Sequence, residues 1–183
     1  MRKDLQRLGK ASLTAACIAI LWLAVFDLNM LVFAGAHHSE RADWIFLPAA
    51  FRVLVVLLFA EVGVVGLILG AYLTLPHADP NDTLHEVALA ISSGLAPLVG
   101  VWSCSRFVHL DANLSGLKPR DIIVLSVATA AANSVILNGY LALAGRLRGD
   151  ALQIATVFVG DLTGTAIVLF FISMALSLVP LRR

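Results

Sequence analysis

An arginine stands inside a stretch of the sequence that otherwise has the composition of a membrane helix. The stretch is "DWIFLPAAFRVLVVLLF", residues 43–59, and Arg52 has only apolar or small neighbours for eight positions before it and seven after it. A charge at the centre of a bilayer costs at least about 2.5–3.5 kcal/mol, so it should face protein or water and have a partner. Asp161, in the late stretch "FVGDLTGTAIVLFF", is the best-placed opposite charge. Asp27 is the competing partner, whereas Glu61 falls too close to the inner end of its predicted hairpin.

Further polar side chains are predicted at the same depth as this pair. At the rise of a helix, Arg52 lies roughly 12 Å and Asp161 roughly 15 Å below the outer interface. Two interpretations remain open. The layer could be a buried ion pair that only fixes helix register, or it could line a pocket, open to the outer side or to the membrane, for a small polar or anionic ligand. The candidate ligand-binding residues are Arg52, Asp161, Asn133, Ser92, Ser93, Trp44 and Thr165.

The remaining chemistry-bearing residues form no catalytic constellation. The sequence has no GxSxG motif, no phosphate-binding loop, no paired carboxylates at a plausible site and no histidine pair of the haem type. Histidines and acids predicted on the outer side could share a divalent metal, but no HExxH spacing places ligands on one helix face, so we interpret them as solvated loop residues. These histidines are His37, His38, His77 and His85. We predict no enzyme activity, no metal, no cofactor and, without a basic aromatic surface motif, no nucleic-acid partner.

The composition places these residues in a membrane protein. Hydrophobic residues make up 60% of the 183 and charged residues 14%, whereas soluble domains average about half and about a quarter. We predict an all-α, polytopic membrane helix bundle in one integral membrane domain, 1–183, with the lipid bilayer as its first partner. The predicted helical spans are 11–35, 44–60, 62–76, 84–108, 121–145 and 151–178.

The number of spans depends on the short sequence "AEVG" between the second and the third. It predicts either a tight hairpin, which gives about six transmembrane helices, or one long broken helix, which gives five. With six, nine Lys and Arg residues lie on one side and three on the other, so both termini are predicted to be cytoplasmic. Residues 1–10, "MRKDLQRLGK", are then a basic cytoplasmic segment, and the long apolar stretch after them predicts a retained first helix rather than a cleaved signal peptide.

Small residues are spaced for close contacts between helices. Gly66 and Gly70 form one GxxxG pair, and Gly160 and Gly164 form another. This spacing lets helix backbones approach each other closely. Pro48 is expected either to begin the second span or to kink it.

Three of these stretches together resemble the MASE1 family of bacterial membrane sensor domains. They are "DWIFLPAAFRVLVVLLF", "GVVGLILGAYLT" and "FVGDLTGTAIVLFF", and the likeness extends from about Trp44 to Leu176. The family shows an aromatic segment with Pro-Ala before an early helix, a hairpin ending in small residues, and Gly-Asp-x-x-Gly in a late helix. The matching positions here are Pro48, Ala49, Gly70, Ala71, Gly160, Asp161 and Gly164.

The resemblance implies a non-enzymatic, multi-pass sensory domain in the bacterial inner membrane. Family members are usually joined to a kinase, a cyclase or a related output domain, and this sequence ends at "VPLRR" without one. We therefore expect it to signal through a separate protein. Because the family is similar in helix arrangement to substrate-binding subunits of vitamin transporters, a substrate-capturing transport subunit stays open as an alternative. A purely structural assembly protein is a further one.

Overall fold

A computed structural model describes residues 2–39, 42–77, 79–105, 119–147 and 151–178. The helices of this part are α1 (Arg2–Val32), α2 (Pro48–Leu73), α3 (Thr83–Cys104), α4 (Pro119–Leu143) and α5 (Ala151–Leu178). The shorter elements are two 3-10 turns (Ala34–Ala36 and Pro80–Asp82) and an antiparallel hairpin of β1 (His37–Ser39) and β2 (Ala42–Asp43). All five helices are long and apolar enough to cross a membrane. The chain is therefore a multi-pass helix bundle, as its composition predicts.

The second helix, α2, is folded back on itself at Ala60. The backbone of Ala60 is non-helical, with φ 45° and ψ −123°, between two helical arms, 48–59 and 61–73. The arms lie side by side, because a Cβ added to Gly63 would come within 2.7 Å of the carbonyl oxygen of Val55. In a straight helix these two residues would be about 12 Å apart along the axis. Of the two alternatives at "AEVG", the structure has the hairpin, contained in one helical element.

This hairpin puts the beginning of α1 and the end of α5 at the same face of the bundle. The second arm of α2 runs parallel to α1, since Gly66 and Gly70 meet successive turns of α1. The chain then returns through α3, and both the α3–α4 pair and the α4–α5 pair are antiparallel. Within the described residues, and with each arm of α2 counted separately, the bundle has six helical segments that alternate in direction. The prediction that both termini share one side agrees with this arrangement.

The first GxxxG pair makes the close helix contact that its spacing predicts. A Cβ on Gly66 would lie 2.7 Å from Ile18, and one on Gly70 would lie 2.7 Å from Trp22. Both partners are on α1 and belong to the main apolar core, which also contains residues of α3 and of both arms of α2. The tight contact holds Trp22, which is 2% exposed, in the interior of the bundle.

The second GxxxG pair contacts an extended segment rather than another helix. We call residues 43–47 the strap, which includes the end of β2 and leads into α2. A Cβ on Gly160 would collide with the first carbonyl oxygen of the strap, and one on Gly164 would collide with that of Phe46. The prediction of a helix–helix contact at this pair was therefore wrong. Because both positions lack a side chain, the strap backbone can lie directly on α5.

The strap satisfies its backbone groups through neighbouring elements. Non-helical backbone is tolerated within a membrane only where protein or a water-filled cavity covers it. The bonds are Trp44 N to Ala36 O (2.9 Å), Phe46 N to Gly160 O (3.0 Å), Leu47 N to Asn29 Oδ1 (2.8 Å) and Thr163 Oγ1 to Trp44 O (2.6 Å). After the strap, α2 begins at Pro48, four residues later than the predicted span. Pro48 thus starts the helix rather than kinking it, at a position where a missing N–H costs no bond.

Candidate functional site

Arg52, Asn133 and Asp161 form a closed hydrogen-bonded ring inside the bundle, which we call the ring. Arg52 Nη2 donates to Asp161 Oδ1 at 2.8 Å, and Arg52 Nη1 donates to Asn133 Oδ1 at 2.9 Å. Asn133 Nδ2 closes the ring by donating to Asp161 Oδ2 at 2.8 Å. The exposed fraction of the three residues is between 4% and 6%. The predicted counter-charge of Arg52 is confirmed, and the ring ties together α2, α4 and α5.

The depth of the ring follows from two helices that run in opposite directions. Asp161 is ten residues after the start of α5, and Asn133 is ten residues before the end of α4. We call the face opposite the beginning of α1 the outer face. Both residues therefore lie about 15 Å from the outer ends of their helices. The strap runs along α5 from Gly160 to Gly164, so α2 begins deeper than Asp161. Arg52 reaches back to the level of Asp161 because side chains on a helix lean toward its N-terminus. The guanidinium consequently points back from the first turns of α2 toward the strap.

Two aromatic rings cover the guanidinium on the side of α1 and the strap. The Arg52 Cζ atom lies 5.2 Å from the ring centroid of Phe46 and 6.0 Å from that of Trp22. At these distances, the negative faces of aromatic rings attract a cation. The two rings also contact each other edge to face, with centroids 6.3 Å apart. They stabilise the cation and keep water from it, a role that the sequence did not predict for either residue.

A small cavity lies beside the ring. The space open to the centre of a water molecule is about 10 Å³, which is room for about one water. It is far smaller than the roughly 300–1,000 Å³ of a typical small-molecule pocket. Thr165, a predicted site residue, lines it and donates to the backbone carbonyl of Asp161 at 2.7 Å. The lining residues are Ala49, Arg52, Val53, Pro97, Ser126, Thr129, Asn133, Asp161 and Thr165.

Three predicted site residues are not among the ring and cavity residues. Ser92 is 8% exposed, and its hydroxyl donates to a backbone carbonyl one turn earlier in α3. Ser93 is partly exposed, and Trp44 is 39% exposed. Asp27, the competing partner predicted for Arg52, and Glu61, the less well-placed acid, are both exposed. Depth along a helix was therefore predicted better than the face on which each residue lies.

Two hydroxyl residues that line the cavity were not among the site residues predicted from the sequence. Ser126 and Thr129 precede Asn133 by seven and four positions, a spacing that places the three on one face of α4. Each hydroxyl donates to a backbone carbonyl one turn earlier, at 2.8 Å. Each oxygen keeps capacity to accept a hydrogen bond from the cavity side. The periodicity with Asn133 was the signal that could have identified them.

A second polar region lies at the outer ends of α3 and α4. Its contacts are Arg146 Nη1 to Asp82 Oδ2 (2.6 Å), Arg146 Nη2 to Asp82 Oδ1 (2.5 Å), His77 Nδ1 with Glu86 Oε2 (2.6 Å) and His85 Nδ1 with Tyr140 OH (2.5 Å). His85 and Glu86 are buried, at 8% and 7% exposure, because their face of α3 is packed: His85 stacks on Tyr140 of α4, and Glu86 bonds to His77. Their interpretation as solvated loop residues was wrong.

No metal site is formed by the residues that the structure describes. Within them, no three His, Cys, Asp or Glu side chains are grouped so that they could hold an ion. The side chains of His37 and His38 lie outside the described part of the chain.

The chain matches no protein-family model, no curated protein and no solved structure. The resemblance to the MASE1 family therefore remains a prediction that rests on the motifs. The structure shows where the motif residues lie. Pro48 begins α2, Gly160 and Gly164 receive the strap, and Asp161 belongs to the ring.

Proposed function

We propose that the protein is a non-enzymatic sensory or ligand-binding module of MASE1-like type in the bacterial inner membrane, and that it signals through a separate protein. The observation that carries the proposal is the ring, a buried charged network beside a hydroxyl-lined cavity. Charged side chains inside membrane spans are rare and commonly mark functional sites. A buried ion pair also stabilises a fold no better than apolar packing does in many proteins, so its presence favours a role beyond stability.

The charges of the ring define the chemistry of the ligand. Arg52 and Asp161 neutralise each other, so the closed ring offers no net charge to a free ion. A ligand must therefore bind by exchange, with a carboxylate or similar oxyanion taking the place of Asp161 on the guanidinium. Asn133 Nδ2 remains as a donor to the displaced carboxylate. The charge of the site stays balanced if Asp161 takes up a proton as the anion binds.

This exchange would be transmitted through the elements that the ring joins. A closed ring holds the first arm of α2 against α4 and α5. Opening it frees that arm, whose far end is the turn at Ala60, followed by the exposed Glu61. The turn lies toward the face on which α1 begins, because the second arm runs parallel to α1. Basic residues indicate that this face is cytoplasmic, where a partner protein would meet the turn.

The proposal is tested by ligand-dependent thermal stability of the full chain in detergent. We expect acetate, succinate or phosphate to raise the melting temperature of the parent, because an oxyanion that binds the folded state stabilises it. Arg52→Gln should remove this shift while part of the protein stays folded. The matched control is Asp82→Asn in the outer ion pair, which should keep the shift. A shift that persists in folded Arg52→Gln would rule out this site.

A structural role is the second candidate, and one observation favours it. Among the described residues, every buried side-chain nitrogen and oxygen has a hydrogen-bond partner, so the closed ring leaves no polar atom waiting for a ligand. The discriminating variant is the double substitution Arg52→Leu with Asp161→Leu. A double variant clearly less stable than the parent, together with the absence of any oxyanion-dependent shift in the parent, would favour the structural role. The one-water cavity gives no support to a transport subunit that captures a vitamin-sized substrate.

A further inference from the structure

We infer that the strap is a movable cover of the ring, and that a ligand reaches Arg52 only after the strap leaves α5. The inference rests on the proposed function, because it concerns access to the same site. It can nevertheless be tested without any ligand.

The strap forms the wall of the site between α1 and α5. Its Phe46 ring lies 5.2 Å from the Cζ atom of Arg52 and contacts Trp22 and Phe26 of α1 edge to face. On the opposite side its backbone donates to the carbonyl of Gly160 on α5. Asn133 and Asp161, the other two members of the hydrogen-bonded ring, come from α4 and α5 themselves. The strap is therefore the part of the enclosure that can leave without moving a membrane helix.

The strap also lacks the continuous hydrogen-bond ladder of the helices around it. Four hydrogen bonds to other elements attach its backbone, whereas each helix residue is held by bonds within its own helix. Its contact with Gly160 and Gly164 is backbone against backbone, with no side chain of these two positions locking it in place. Segments outside the regular helices, from which the covers of binding sites are drawn, open locally at a lower free energy than the helical core.

Removal of the strap would expose the side of the guanidinium that Phe46 covers. Water would reach Arg52, and the aromatic contact that stabilises the cation in the closed form would be lost. The oxyanion then meets the guanidinium on this open side and competes with Asp161. The strap keeps the site closed until a ligand is present. The cavity of the closed form therefore has to hold only a water, because the ligand enters after the strap has moved.

A thiol probe next to the strap tests whether it controls access. Ala49→Cys places the probe on the first turn of α2, at a cavity-lining residue that is 4% exposed and is not part of the ring. The background carries Cys17→Ala and Cys104→Ala, and the full chain is held in membrane vesicles. Labelling by a small membrane-impermeant methanethiosulfonate is timed with and without a second substitution. Gly160→Ala adds a Cβ that collides with the strap, and Thr163→Val removes the hydrogen bond to Trp44 O without adding bulk.

We expect labelling at least about tenfold faster in folded Gly160→Ala and Thr163→Val than in the parent, since each shifts the strap toward its open position. The matched control is Gly139→Ala, where a Cβ would meet nothing within 4 Å, and its rate should equal that of the parent. If Gly160→Ala does not fold, Thr163→Val alone decides. Unchanged rates in the folded variants, or an equal increase in Gly139→Ala, would overturn the inference. If no oxyanion raises the melting temperature but labelling is faster in the two variants, the proposed oxyanion ligand is wrong and the strap is still a movable cover.

Discussion

Two arginine–carboxylate pairs of this chain differ in their surroundings rather than in their chemistry. In the ring, the side chains of Arg52 and Asp161 are 5% and 5% exposed, whereas those of Arg146 and Asp82 in the outer pair are 45% and 35% exposed. Water and salt screen an exposed pair, so its net contribution to stability is small. The buried pair has exchanged water for a fixed set of bonds, and removal of one partner leaves an uncompensated charge.

Direct contact between the charges does not decide how much a pair matters to the fold. Both pairs are joined by hydrogen bonds between guanidinium and carboxylate. In the outer pair, the hydrogen bond from Arg146 to Asp82 raises the pKa of Arg146 above the usual value of an arginine, so the guanidinium stays charged at every physiological pH. The ring instead includes a third residue, Asn133, that bonds to both charges. Its importance comes from burial and from this shared bonding.

The largest effect is expected from breaking the buried pair. Asp161→Ala leaves the Arg52 charge buried with only Asn133 and two aromatic rings around it, so we expect a loss of about 3–5 kcal/mol in the free energy of unfolding. Denaturant unfolding of the full chain in detergent measures it. Exchanging the charges, with Arg52→Asp and Asp161→Arg together, should recover part of the loss. A loss in Asp161→Ala no larger than that of an outer-pair variant would contradict the comparison.

An intermediate effect is expected from removing the shared partner. Asn133→Ala keeps both charges and their direct contact but takes one acceptor from Arg52 and one donor from Asp161. We expect a loss of about 1–3 kcal/mol, the cost of leaving buried polar groups unsatisfied. The same unfolding experiment applies. Its control is Ser92→Ala, because the Ser92 hydroxyl bonds to the backbone of its own helix and its loss should cost less. Equal losses in the two variants would contradict the special role of Asn133.

The smallest effect is expected at the outer pair. Asp82→Ala removes the carboxylate partner of Arg146 at a solvated position, where the guanidinium can bond to water instead. The melting temperature should fall slightly at low salt, and the difference from the parent should disappear at high salt because ions screen exposed charges. Melting curves at the two salt concentrations test this. A large decrease that is insensitive to salt would show that the outer pair acts as a buried one does.

Much of the helical framework was predictable from the sequence, because composition and length determine it locally. The apolar runs predicted α3, α4 and α5 close to where they lie, and the charge of Arg52 predicted Asp161 as its partner. The first helix was predicted from residue 11, but α1 begins at Arg2 and includes most of the basic segment 1–10. The strap was not predicted, since residues 44–47 are as apolar as the helix that follows them. Its extended form depends on bonds to Asn29 and Gly160, which are distant in the chain.

By itself, the sequence determined that the protein is a multi-pass helical membrane protein, that an arginine inside it needs an opposite charge, and that the two charges share one depth. These follow from local properties, namely hydropathy, the cost of a bare charge in a bilayer and the constant rise of a helix. Only the tertiary structure decided that Asn133 closes the ring, that Ser92 stays outside it, and that the glycines of α5 receive a strap. These depend on how each helix is rotated about its axis and on the reversal at Ala60, which residue spacing along one chain does not set.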